Sequence, residues 1–177
     1  MTTDLLELYS QASSWTLGQV AGARDLDAPT PCTEWQVRDL LNHMLQAQQY
    51  FLGSARGEDA TPPGPNPPSL LGSDPHADFA AVRSDLIAAF GQDGVIDKTG
   101  PALGIAFSDQ LLHGWDLARA TGQDATMPDG LAEAAYSCIH GAFTDEQRQG
   151  VFGPEVQVGP DASPQEPLLA YTGRQPS

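Results

Sequence analysis

The residues with the clearest chemical potential lie in one stretch, FSDQLLHGWDLARATGQ, from Phe107 to Gln123. If this stretch is a helix, residues four apart lie one turn apart on one face, so Asp109 and His113 are neighbours. Asp116 falls on the same stripe. A row of ionisable groups is costly to bury unless something pairs with it, and a metal ion would do so. A solvent-facing polar stripe explains the same pattern without a metal.

A further candidate ligand lies on a second predicted helix. Thr33 is expected to cap this helix, with Gln36 completing a capping box, and the helix should run to about Leu52. His43 falls on its apolar stripe, beside Leu40. A lone histidine on an apolar face is more often a satisfied core residue than a ligand, so the sequence around this helix leaves both interpretations open.

His43, Asp109 and His113 together could supply three corners of a metal site, two from one helix and one from its neighbour. Two imidazoles and one carboxylate suit Zn²⁺, which we expect first, but also Ni²⁺, Fe²⁺ or Mn²⁺. A divalent ion would lower the pKa of a bound water towards neutrality. Asp116 is either a fourth ligand or an acceptor for an imidazole N–H. Arg119 is its expected salt-bridge partner.

The elements that must position these residues are helices. Periodicity predicts four long amphipathic helices and then a fifth within a single domain spanning residues 1–177, with almost no strand signal. The predicted helices cover residues 4–24, 33–52, 75–90, 102–121 and 128–143. Asp74 and Pro75 mark the start of the third, and Gly122 the end of the fourth.

The connecting segments differ in character. Residues 53–73 are rich in proline and glycine and should form an extended or mobile loop, and residues 93–101 should form a turn. The tail, residues 150–177, is expected to be irregular and to pack on the bundle through one short turn around Leu168, Leu169 and Tyr171. This pattern indicates an all-α helical bundle.

Composition excludes several classes of function. A net charge of −15, with only eight Lys and Arg residues, disfavours binding to nucleic acid or to an anionic membrane. The first residues lack the basic region of a signal peptide, and no run is apolar enough to span a bilayer, so we expect a cytoplasmic protein. Cys32 and Cys138 are expected to be free thiols. Cys32 is either a low-pKa thiol near a helix start or a small buried residue.

Two stretches, TPCTEWQVRDLLNHM and DQLLHGWDLARATGQ, resemble the paired signatures of a bacterial metal-binding family. It is the family related to the N-terminal domain of mycothiol-dependent maleylpyruvate isomerase, within the DinB/YfiT-like superfamily. The closing segment, VFGPEVQVGPDASPQEPLLAYTGRQP, is similar to the end of its members. The resemblance implies a DinB-like four-helix bundle, here with an additional C-terminal helix and an irregular tail. It also implies that His43, Asp109 and His113 bind the metal.

The function implied by the resemblance is a thiol-dependent transferase or a hydrolase, with mycothiol as the thiol and a metal-bound water or thiolate. The sequence shows no counterpart of the isomerase's C-terminal domain, so maleylpyruvate isomerisation is not expected. Two alternatives stay open: a non-catalytic metal or small-ligand binding or stress-response module, and a metal-free bundle. The expected partner is a small-molecule substrate or thiol. A homodimer is compatible with a bundle, although no interface is indicated.

Overall fold

The computed structural model describes residues 4–176. Over this range the regular secondary structure is helical apart from one isolated bridge, and loops connect the helices. The helices of the described residues are α1 (Leu5–Gly22), α2 (Val37–Arg56), α3 (Pro75–Phe90), α4 (Val95–Thr99), α5 (Ala102–Thr121), α6 (Leu131–Ile139), α7 (Asp145–Val151) and α8 (Glu166–Tyr171). None of them is both long enough and apolar enough to cross a membrane.

The four long helices form a bundle. Helix α1 packs against α3 and α5, and α2 packs against the same two helices, which closes the ring. Helix α5 is the most deeply buried of the four, because Leu103, Phe107 and Leu111 are buried on one face and Leu117 is buried on another. A helix that is apolar on most sides belongs inside a bundle. The predicted all-α four-helix bundle is confirmed.

Helices α1 and α5 approach closely at Gly114. A Cβ atom at this position would lie 2.5 Å from Thr16 Oγ1 and 2.7 Å from a ring carbon of Trp15. The Thr16 hydroxyl donates a hydrogen bond to the Gln110 carbonyl oxygen, 2.8 Å away. This contact fixes the position of α5 relative to α1 at the residue after His113.

Two helices begin and end where the local signals predict. The Asp74 side chain accepts a hydrogen bond from Ala77 N at 3.2 Å, and α3 begins at Pro75. Helix α5 ends at Gly122, whose φ of 70° suits glycine.

The predicted start of α2 is wrong. The N-cap is Gln36 rather than Thr33, and its backbone N–H donates to Asp39 Oδ2 at 3.0 Å. Thr33 lies in a turn, because the preceding segment is tied to Gln36 through an isolated bridge to Pro29. A capping box is present, but Gln36 and Asp39 form it, three residues further along the chain than predicted.

Helix α2 also continues beyond its predicted end at Leu52, so the proline-rich loop begins at Gly57 and not at residue 53. Two side chains, Asn42 of α2 and Trp35 just before it, hold this loop in place. Asn42 Oδ1 accepts hydrogen bonds from Leu70 N at 2.7 Å and Leu71 N at 3.0 Å. Trp35 Nε1 donates to the Pro65 carbonyl oxygen at 3.1 Å. The loop is extended, and its backbone is tied to side chains of α2 and of the segment before it.

The short helices differ most from expectation. Residues 93–101, predicted as a turn, contain α4, and α7 was not predicted. The last predicted helix begins at Leu131 rather than Pro128, because Gly130 before it has a φ of 81°, outside helical geometry. It ends at Ile139 rather than Phe143.

Candidate metal centre

The structure brings together the three residues predicted to bind metal. His43 of α2 lies opposite Asp109 and His113 of α5, and one ligand atom from each lies within 4.8 Å of the other two. His113 Nε2 is 3.4 Å from Asp109 Oδ1, as their separation by one helical turn predicts. The ring centroids of His43 and His113 are 4.9 Å apart. Metal binding by this trio stays a prediction.

The second nitrogen of His113 has a different partner. His113 Nδ1 lies 3.1 Å from Asp116 Oδ2, three residues further along α5. An ionised carboxylate only accepts hydrogen bonds, so Nδ1 carries the proton in this pair. Nε2 is thereby directed at Asp109, towards His43. Metal-binding histidines typically have this arrangement, in which a carboxylate fixes the ring orientation.

Asp116 is itself held by Arg174, from the segment after α8. Arg174 Nε donates to Asp116 Oδ1 and Arg174 Nη2 donates to Oδ2, each at 2.8 Å. The expected partner, Arg119, is wrong: Asp116 is fully buried, whereas Arg119 is exposed and lies 5.6 Å from the centroid of the Trp115 ring. Both oxygens of Asp116 are engaged, which favours the supporting role over that of a fourth ligand.

Glycines position the arginine. Gly173 has a φ of 84°, and a Cβ atom there would lie 2.6 Å from the carbonyl carbon of Gly153. The chain turns at this contact, after Leu168 and Leu169 of α8 have entered the core. Arg174 is the important residue that sequence analysis missed. The available signal was indirect, because a buried aspartate on α5 requires a cation that its own helix does not supply.

The charges of the cluster are set by burial and by its own members. Burial, followed by the nearby His113, lowers the pKa of His43 to about 4, so its imidazole is neutral. Burial opposes ionisation of Asp109, but His113 outweighs it and holds that pKa below its usual value. Burial also opposes a charge on His113, yet Asp109 and Asp116 raise its pKa to about 9.

Asp116 stays ionised for a related reason. Burial alone would raise its pKa, but the Arg174 guanidinium and His113 hold it far below its usual range. The cluster therefore presents two carboxylates and a neutral imidazole to His113. In the absence of metal, a proton on His113 balances part of this negative charge.

Two buried polar atoms of the trio are suited to bind a cation. Among the described residues, His43 Nδ1 and Asp109 Oδ2 are buried and have no hydrogen-bond partner. Buried polar atoms are nearly always paired, and a bound ion is one explanation of an exception. An imidazole nitrogen and a carboxylate oxygen are both suitable donors for a divalent transition metal. The residues present thus fit a metal ion.

Cys32, His113 and Asp116 form a second group of the right size for a metal. Cys32 Sγ lies 3.6 Å from Asp116 Oδ2. Burial and the Asp116 carboxylate raise the pKa of the thiol to about 12, so Cys32 is not a low-pKa thiol. Since metal ligation needs a thiolate and Asp116 is bound to Arg174, the trio with His43 is the better site.

The candidate metal centre lies in the wall of a cavity of about 1130 Å³. The cavity is lined mainly by apolar side chains, among them Tyr50 and Phe51 of α2, Ile105 of α5 and Pro63 of the loop. The Trp35 ring lies 4.5 Å from the His43 ring, measured between centroids. Clefts of this size with a few convergent polar groups are typical of small-molecule sites.

The remaining histidines and the second cysteine lie elsewhere. His76 is exposed in the first turn of α3. His140 packs between the rings of Tyr136 and Tyr171, with centroid distances of 4.8 and 5.2 Å. Cys138 faces Gly104, where a Cβ atom would lie 3.3 Å from its sulfur. No Cys–His nucleophile pair arises from these residues.

Comparison with known proteins agrees with this architecture. The family described as mycothiol maleylpyruvate isomerase N-terminal domain matches residues 10–118, which include all three predicted ligands. Two proteins of Mycobacterium tuberculosis, uncharacterized protein Rv0738 of strain H37Rv and uncharacterized protein MT0763 of strain CDC 1551, are each 30% identical to the chain over 162 residues. The alignments cover 86% of this chain and 86% of each relative. No solved structure is significantly similar. The chain belongs to the family of the mycothiol maleylpyruvate isomerase N-terminal domain, within the DinB/YfiT-like superfamily.

Proposed function

We propose that the protein is a metal-dependent enzyme that acts on a small organic molecule, with His43, Asp109 and His113 as the metal ligands. One observation carries the proposal. His113 uses Nδ1 to bind Asp116, so its Nε2 is directed to the place where Asp109 and His43 converge. A histidine that served only to pack the core would not need carboxylates on both ring nitrogens.

The donor set favours Zn²⁺ and also accepts Ni²⁺, Fe²⁺ or Mn²⁺. A bound divalent ion would supply Lewis acidity, which acidifies a water or a thiol at neutral pH. The protein's own contribution is orientation: Asp116 and Arg174 hold the His113 ring, and burial keeps His43 neutral.

Family membership supports a thiol as the second reactant. The family takes its description from a mycothiol-dependent isomerase domain, and the cavity is large enough for a thiol together with an electrophile. We therefore propose a mycothiol-dependent transferase. A hydrolase that uses water in place of the thiol is the variant of this proposal.

Metal content is the first test. Protein purified without a polyhistidine tag is expected to hold about one divalent ion per chain. The variants His43→Ala, Asp109→Ala and His113→Ala should lose it, whereas His76→Ala and His140→Ala should keep it, because those side chains lie outside the site. Equal metal content in all five variants would remove the basis of the proposal.

Turnover is the second test. Metal-loaded protein is assayed with epoxides and other electrophiles in the presence of mycothiol, and with activated esters in its absence. Thiol-dependent conjugation that is lost in His113→Ala supports the transferase, and thiol-independent ester cleavage supports the hydrolase. A protein that binds metal but turns over none of these compounds fits the alternative of a non-catalytic metal or small-ligand binding module.

A further inference from the structure

Lys98 is the only lysine of the chain. It lies on α4, and its side chain lines the same cavity as the candidate metal centre. Its residue is exposed, and none of the ion pairs found between residues 4 and 176 includes it. In a chain with a net charge of −15, carboxylates are plentiful. An unpaired cation on the cavity wall is therefore available to a ligand.

The order and spacing of the lining residues along the helices indicate that Lys98 and the candidate metal centre lie towards opposite ends of the cavity. Helices α2 and α5 both run along it, and α4 packs against both of them. On α5, the lining extends from Ala102, close to α4, to His113, and the rise of a helix places Asp109 about 10 Å from Ala102. On α2, the lining extends from His43 to Ala55, about 18 Å along the axis. The cavity is elongated.

The walls between the two ends are apolar. Tyr50 and Phe51 of α2, Ile105 of α5 and Pro63 of the loop all line the cavity. Charged groups also line the cavity, and one of them, Glu34, is next to Trp35, whose ring packs on His43. Asp109 is at the metal end, and Lys98 is at the other.

Arg174 also reaches the lining, but its charge is not available in the same way. Its guanidinium is already paired with the buried carboxylate of Asp116. Lys98 is therefore the cation that remains to bind a ligand's negative charge. One lysine neutralises one charge, which matches a carboxylate, whereas a phosphate monoester carries about two charges at neutral pH. This chemistry favours a carboxylate over a phosphate.

We infer that the cavity binds an elongated molecule with an apolar body and a carboxylate at one end, and that Lys98 binds this carboxylate. The opposite end of the molecule then lies at His43, Asp109 and His113. The inference deepens the proposed function and rests on it only in assigning the reacting end of the molecule to the candidate metal centre. Lys98 determines specificity and takes no part in the reaction.

Binding of three probes with alkyl chains of similar length tests the inference: decanoate, the neutral decanamide and the cationic decyltrimethylammonium. Affinities are measured by calorimetry on the full chain, both as purified and after removal of metal with a chelator. The variants are Lys98→Gln, Lys98→Arg and, as a control of equal charge, Arg24→Gln. Arg24 is exposed, unpaired among the described residues and outside the cavity. Thermal unfolding of each variant verifies that it is folded.

The expected order of affinity is decanoate, then decanamide, then decyltrimethylammonium. Lys98→Gln should weaken decanoate binding about fivefold, the effect of an exposed ion pair, and should leave decanamide binding within about twofold. Lys98→Arg should restore decanoate binding, and Arg24→Gln should not alter it. The same pattern should hold in the chelated protein.

Two results would overturn the inference. One is equal decanoate affinity in Lys98→Gln and Arg24→Gln. The other is decanoate binding that disappears on chelation but survives Lys98→Gln, because the carboxylate then binds at the metal. Metal content, measured on the same samples, separates this inference from the proposed function. If decanoate binding depends on Lys98 in a protein that contains no metal, the inferred ligand class stands and the proposed metalloenzyme function is rejected.

Discussion

Arg174 and Asp116 are 58 residues apart in the chain and form a two-point ion pair, with both nitrogen–oxygen distances at 2.8 Å. The pair is almost fully removed from solvent, since the side chains are 14% and 0% exposed. Through Asp116, it fixes the ring of His113. The C-terminal segment thus determines the geometry of a site whose candidate ligands lie on α2 and α5.

Removing one member of this pair should destabilise the fold. Arg174→Gln leaves a buried carboxylate without its cation, which we expect to lower the free energy of unfolding by about 3 kcal/mol. The double variant Arg174→Gln with Asp116→Asn should regain part of this loss. Chemical denaturation measures both, and Arg119→Gln, at an exposed site, is the control. A loss no larger than that of the control would contradict the structure.

Asp116 should also control metal affinity without being a ligand. Asp116→Asn removes the anionic acceptor that orients His113, and changes of this kind typically weaken metal binding about 10- to 100-fold. Competition with a chromogenic chelator measures the affinity. Asp93→Asn, at an exposed position in a turn, should have no effect. Complete loss of metal from Asp116→Asn, as in His113→Ala, would instead identify Asp116 as a ligand.

The pH dependence of Cys32 alkylation tests the electrostatics beside the cluster. Burial and the Asp116 carboxylate raise the thiol pKa to about 12, so the thiolate is scarce at pH 8 and increases with each unit of pH towards 12. In a Cys138→Ser background, iodoacetamide should react about 10- to 100-fold more slowly at pH 8 than with a free thiol of pKa about 8.5. The rate should still be rising at pH 10. A plateau near pH 9 would show an ordinary thiol.

Substitutions of two glycines, one in α5 and one in α1, test the contact between these helices. Gly114→Ala would place a methyl group 2.5 Å from Thr16 Oγ1, and such overpacking typically costs about 1–3 kcal/mol. Gly18→Ala, in the interior of α1 with nothing within 4 Å, should stabilise the protein by about 0.5–1 kcal/mol. The midpoints of thermal unfolding of the two variants should therefore shift in opposite directions. Shifts of the same sign would argue against the close packing.

The loop over the cavity should depend on Asn42. Its side-chain oxygen accepts both the Leu70 and the Leu71 amide N–H groups, so Asn42→Ala should expose both amides to exchange. Hydrogen–deuterium exchange of the segment containing them is expected to accelerate about tenfold, equivalent to about 1.4 kcal/mol of lost protection. Asn66→Ala, an exposed position in the same loop, is the control. Unchanged exchange in Asn42→Ala would mean that other contacts hold the loop.

Sequence reasoning was accurate where the signals are local. Asp74 with Pro75 and the glycine at position 122 set the ends of α3 and α5 through backbone chemistry within one or two turns. Asp109 and His113 share a helix, so their separation of one turn follows from the spacing alone. The convergence of His43 followed from its place on an inward stripe together with the family signature.

Long-range features could not be predicted in the same way. Nothing close to Asp116 in the sequence indicates that its partner is Arg174, and the nearer Arg119 satisfies every local rule. Short helices such as α4 and α7 have little intrinsic stability, so packing rather than periodicity decides whether they form. Thr33 illustrates the opposite error, because a local capping pattern was outweighed by the bridge between Pro29 and Gln36.

The contact between Gly153 and Gly173 has a consequence for how this chain can vary. The backbone leaves the body of the protein after Gly153 and returns through α8 before it reaches Gly173, and much of residues 154–164 is exposed. Lengthening a surface loop costs little free energy once its ends are fixed. Insertions or a short epitope placed within residues 157–161 should therefore leave Arg174 on Asp116, making this segment a convenient attachment point for labels.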